Sequence, residues 1–157
     1  MKTALAYGLN ELWRSAPAPA IVFGVAGLLP FVGLTLLIGI GSVERHDFFV
    51  VSLACYGAVI LSFVGALHWG YAVRNDARGG WSWIQYGWSI LPSLVAWVSL
   101  LLPHSTGLTV QALAVIACFA FDKAVAGINA TPAWLSALRA LLTVVAACAL
   151  LTASYMA

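Results

Sequence analysis

Five long apolar stretches occupy this chain, and nearly all of its charged residues fall in the connections between them. A lipid bilayer is the solvent that such a pattern fits. Hydrophobic residues make up 63% of the chain and charged residues only 8%, with a mean hydropathy of +1.00. A soluble domain carries about a quarter charged residues, so no water-soluble fold of this size covers so much apolar surface. The 157 residues accommodate roughly five spans of about 20 residues with short connections and no separate soluble domain. The expected fold is an all-α integral membrane protein, a five-transmembrane-helix bundle forming a single membrane domain over residues 1–157.

Along the chain, residues 2–15 place Leu5, Leu9, Leu12 and Trp13 on one helical face, with Lys2, Asn10, Glu11 and Arg14 elsewhere. This reads as a short N-terminal amphipathic interfacial helix. The apolar stretch after it is too long for a signal-peptide core and has no convincing cleavage site, so the segment reads as retained. Spans are expected at residues 18–40, 48–71, 83–102, 108–126 and 132–155. Pro30 and Pro92 should kink the first and third, since proline removes a backbone hydrogen bond. The glycines, Gly65 in the second span among them, read as close-packing positions. Thr131-Pro132 reads as an N-cap followed by proline at the first helical position of the last span.

Orientation follows from the basic residues. With the N-terminus cytoplasmic, that side receives Lys2, Arg14, Arg74, Arg78, Lys123 and Arg139, and the other side receives Arg45. The positive-inside rule therefore predicts N-in and C-out. The net charge of +2 is too small to imply nucleic-acid binding and suits an anionic lipid surface. Cys55, Cys118 and Cys148 lie in different spans without a CxxC pair and read as buried structural thiols. His46 and His104 fall in outer loops, where their spacing does not select for haem or metal, so neither a metal site nor a cofactor is expected.

Polar chemistry gathers at the cytoplasmic ends. His68 lies about 30 Å along its helix from Asp47, at the interface. It either ends its span, with Trp69 as a belt anchor, or belongs to a site. Asp122 and Arg139 are near-level partners across the hairpin between the fourth and fifth spans, so a salt bridge is predicted, with lipid phosphate the alternative partner for the arginine. Trp81, Trp83, Gln85, Tyr86 and Trp88 enter on the same side. The candidate ligand- or partner-binding residues are His68, Trp69, Arg74, Trp83, Tyr86, Asp122, Trp134 and Arg139, a polar-aromatic layer under one face of the bundle.

Several of these segments resemble a known family. Pro30-Phe31, the run Tyr56 to Gly70 (YGAVILSFVGALHWG), Leu91 to Trp97 (LPSLVAW), Phe121-Asp122-Lys123, Pro132 to Trp134, and Leu138-Arg139 through Leu142-Thr143 are similar to the DUF3429 family in sequence and order. The resemblance covers most of the chain. It implies a small multi-span protein of the bacterial inner (cytoplasmic) membrane, or of the mitochondrial inner membrane if the source is eukaryotic. It attaches no biochemical activity. His68, Trp69, Asp122, Trp134 and Arg139 are among the matching positions.

Three functional readings follow. The first is a non-catalytic accessory or assembly factor that binds anionic lipid headgroups or another membrane protein, using small-residue faces for packing and cytoplasmic arginines for headgroups. The second is a small-solute carrier or channel built on proline-broken helices, although mid-membrane charge and an inverted repeat are missing. The third is a quinone- or lipid-linked enzyme or redox protein, resting on one histidine and one acid without paired carboxylates, a nucleophile with its base, or an HExxH motif.

Overall fold

The computed structural model describes residues 15–76 and 78–157, and among these the regular structure is helical. The interfacial helix expected at residues 2–15 lies almost wholly outside the described residues. The helices are α1 (Ala18–Ala26), α2 (Leu29–Ile40), α3 (His46–Arg74), α4 (Gly80–Ser99), α5 (His104–Val125) and α6 (Ala133–Met156), with a 3-10 turn at Val43–Arg45. Four segments are long and apolar enough to cross a membrane: Ala18–Ile40, Val43–Arg74, His104–Val125 and Ala133–Met156. The protein is thus membrane-embedded and multi-pass. α4 has 20 residues, about 30 Å, but Trp, Ser, Gln and Gly dilute its apolar character.

The first apolar stretch is two helices. Pro30 stands at the second position of α2, where a backbone N–H has no intrahelical partner to lose. Its ring clashes with the carbonyl four residues earlier, and α1 ends at that residue, Ala26. The Tyr56 hydroxyl donates to the Gly27 carbonyl at 2.7 Å, satisfying the chain where it breaks. Pro92, in contrast, sits inside an uninterrupted α4. The last span also starts differently from expectation. Pro132 is the extended N-cap residue with φ −60° and ψ 145°, and no side chain caps the helix, so Thr131 lies one residue too early to serve.

α3 is the axis of the bundle. It packs against α2, α4 and α5, while α6 closes the ring against α5 and α2. One apolar layer joins Phe31, Val50, Leu53, Leu108, Ala146 and Leu150. A second, further along α3, joins Leu61, Val64, Ala96, Val115 and Cys118. Small residues make these helices approach closely: a Cβ on Gly65 would lie 2.6 Å from the Ser89 carbonyl oxygen and 3.1 Å from Pro92 Cγ. Gly65 and Pro92 therefore form one seam between α3 and α4. Large apolar side chains such as Phe23, Phe63 and Trp97 cover the outside, as a lipid-facing surface requires. Of the cysteines only Cys118 is buried; Cys55 and Cys148 are exposed. The expectation of three buried thiols fails because apolarity does not say which face of a lipid-solvated helix points inward.

Candidate functional site

Below the second apolar layer the bundle closes on a carboxylate. Asp122, one turn from the end of α5, sits between α3 and α6. Its Oδ1 lies 2.8 Å from His68 Nε2, and its Oδ2 accepts from Arg139 Nε at 2.8 Å and from Arg139 Nη2. One acid therefore ties three helices. His68 is 1% exposed and the Arg139 side chain 11% exposed, so these contacts are made largely out of water, where they are strong. Opposite a guanidinium the carboxylate acts as acceptor, so His68 Nε2 donates to it. His68 Nδ1 is buried and has no hydrogen-bond partner.

Rings brace this centre. The His68 imidazole meets Phe121 and Tyr71 edge-on at 5.0 and 5.9 Å, and Trp88 stacks on Phe121 at 4.2 Å. Residue 68 does not end its helix, because α3 runs six residues further, to Arg74. That extra length carries Arg74 to the α5–α6 connection, where it donates to the Asn129 carbonyl and lies 5.2 Å from the Tyr71 ring centroid. The Asn129 side chain is buried under the bundle and accepts from Gln85 Nε2 at 2.6 Å.

The structure sorts the sequence candidates into groups. His68, Asp122 and Arg139 form one centre, and Arg74 joins its floor through Asn129. Trp69 and Tyr86 form a separate edge-to-face pair at 4.8 Å on the α3–α4 seam. Trp83 is 83% exposed and is not part of the centre, because α4 starts at Gly80 and turns that side chain outward. Trp134 is partly buried in the first turn of α6, apart from the lining of the recess at Asp122.

Two amides escaped sequence reasoning. Asn129 stood in a connection and carried no signal of burial. Gln111 did carry one, as an amide inside an unbroken apolar run. It donates to the Ala54 carbonyl and to Ser99 Oγ, both at 2.9 Å, and so joins α3, α4 and α5 about 21 Å along α3 from His68. The bundle has a polar lock towards each end.

Beside Asp122 a recess of about 20 Å³ is lined by His68, Tyr71, Lys123, Asn129, Ser136 and Arg139, among others. That is room for roughly one water molecule. The larger concavities are apolar grooves on the helix seams: 310 Å³ between α4 and α5, 420 Å³ between α3 and α4, and 130 Å³ between α1, α3 and α6.

Comparison with known proteins finds relatives named as transmembrane proteins. The chain is 36% identical to transmembrane protein 69 of Xenopus tropicalis over 146 residues, covering 90% of this chain and 55% of that protein. It is 28% identical to transmembrane protein 69 of Mus musculus over 131 residues, covering 83% of this chain and 53% of that protein. The chain thus spans about half the length of these curated relatives. No solved structure matches it. The family model described as "Protein of unknown function (DUF3429)" matches residues 16–155, and the chain belongs to that family.

Proposed function

We propose that this chain is a non-catalytic accessory or assembly factor of the bacterial inner membrane, or of the mitochondrial inner membrane, that works by holding lipid or another membrane protein against its helices. The observation that carries this reading is the closure of its polar centre. Both Asp122 oxygens are engaged by the protein's own His68 and Arg139, and the recess beside them admits about one water molecule. A substrate-binding centre of this size needs an opening of several hundred Å³, and the concavities that reach such volumes are apolar seams on the helix surface. The same closure weighs against a solute pathway through this end.

In this reading α4 is a fifth span. Its 20 residues match the bilayer core, and it packs along both α3 and α5. Arg74, Arg78, Lys123 and Arg139 then share the cytoplasmic side, and Arg45 lies outside.

The test is gentle extraction of the tagged protein from native membranes, followed by native mass spectrometry. A membrane partner at fixed stoichiometry is expected, and Ala114→Trp, which fills the α4–α5 groove, should release it. Recovery of a monomer without a protein partner, from membranes cross-linked before extraction, would refute the partner-binding form.

A further inference from the structure

The recess beside Asp122 is unequally charged. Its wall carries two basic side chains, Lys123 and Arg139, against one acid. Asp122 takes the Nε–H and one Nη2–H of Arg139, two of the five N–H donors of its guanidinium. Lys123 makes no ion pair among the described residues. Thr131 and Ser136 line the same recess. This wall is also the start of the 24-residue helix α6, whose dipole favours negative charge near that end.

Arg139 has a second neighbour. It stands at one end of the 130 Å³ apolar cleft between α1, α3 and α6, whose walls include Phe23, Gly24, Phe31, Phe63 and Leu142. Arg139 thus lines both a positively biased polar recess and a hydrocarbon-lined cleft. It lies six residues along α6, about 9 Å from the helix start, near the depth where headgroups give way to acyl chains. An amphiphile with an anionic head matches this juxtaposition.

We propose that this end of the bundle binds one anionic phospholipid, its phosphate diester at the mouth of the recess against Arg139, Lys123 and Ser136, and one acyl chain along the α1–α3–α6 cleft. This deepens the accessory reading by giving the polar face a ligand class, and it rests on that reading only for its biological purpose.

The full chain, purified in mild detergent, is titrated with phosphatidylglycerol or with phosphatidylcholine of matched chains, and occupancy is read by native mass spectrometry. One phosphatidylglycerol per chain, retained in preference to phosphatidylcholine, is the expected result. Lys123→Gln, on an exposed position, should weaken retention about fivefold. Gly24→Leu should also weaken it: a Cβ there meets Leu138 Cδ2 at an ordinary 3.4 Å, so the longer side chain is accommodated by entering the cleft. Millimolar inorganic phosphate should leave lipid occupancy unchanged. Equal retention of the two lipids, displacement by phosphate alone, or undiminished retention in both variants would overturn the proposal. Lipid occupancy of the purified chain is independent of the protein-partner measurement, so the two can fail separately.

Discussion

Asp122→Asn separates a structural lock from a pair of incidental surface charges. The side chains of Asp122 and Arg139 are 19% and 11% exposed, and the carboxylate also holds His68 from α3. Asparagine keeps the volume and one acceptor but removes the charge, leaving a guanidinium largely out of water with no counter-charge. Removing one partner of a buried pair costs about 3–5 kcal/mol. Arg139 is two turns from the start of its helix and can swing towards headgroups, which offsets part of the penalty, so about 2–3 kcal/mol is expected. Arg139→Gln should cost a similar amount, because it strands the carboxylate. The double variant replaces the ion pair with two neutral amides, and its loss should fall short of the sum by about 2 kcal/mol, whereas an exposed pair couples by roughly 0–1 kcal/mol. Reversible unfolding in mixed micelles provides the assay, followed by tryptophan fluorescence, to which Trp88 stacked on Phe121 should contribute. Additive losses would refute the reasoning, since they would mean that the two charges are solvated independently.

Two further outcomes follow from the packing and the topology. Gly65→Ala puts a methyl group 2.6 Å from a backbone carbonyl oxygen and 3.1 Å from the Pro92 ring, neither of which can rotate away, so a loss of about 1–3 kcal/mol is expected in the same unfolding assay. Gly70→Ala on the same helix meets nothing within 4 Å and should be neutral or slightly stabilising; equal effects of the two would discredit the α3–α4 seam. A reporter of sidedness fused at residue 157 should report the outer side, and one inserted after Ala126 the cytoplasmic side. If both reported the same side, α6 would not span; if the signals were exchanged, the proposed orientation or the span status of α4 would be wrong.

The ion pair between Asp122 and Arg139 was legible because a helical hairpin fixes which residues are level, and a charge in an apolar helix needs a partner. His68 was legible as a polar residue at the right depth, but its role was not, because the apolar stretch fades by residue 71 whereas α3 runs on to Arg74. The belt tryptophans misled in the opposite direction. Trp69, Trp83 and Trp134 share a level with the centre, yet level alone does not say which side of a helix a residue occupies. On helices solvated by lipid both faces are apolar, so the periodicity that orients a helix in a soluble protein is largely absent here. The exposed Cys55 and Cys148 are misread for the same reason.

The sequence by itself determined the solvent, the helical class and the division into apolar stretches, because these depend on composition and on distance along the chain. Only the tertiary structure decided that one carboxylate joins α3, α5 and α6, that Asn129 and Gln111 are buried polar ties, and that the polar centre is nearly closed while the seams are open. Those facts depend on the rotation of each helix about its axis. That rotation is set by contacts among small residues such as Gly65 and by the need of each buried polar group for a partner, neither of which can be read one helix at a time.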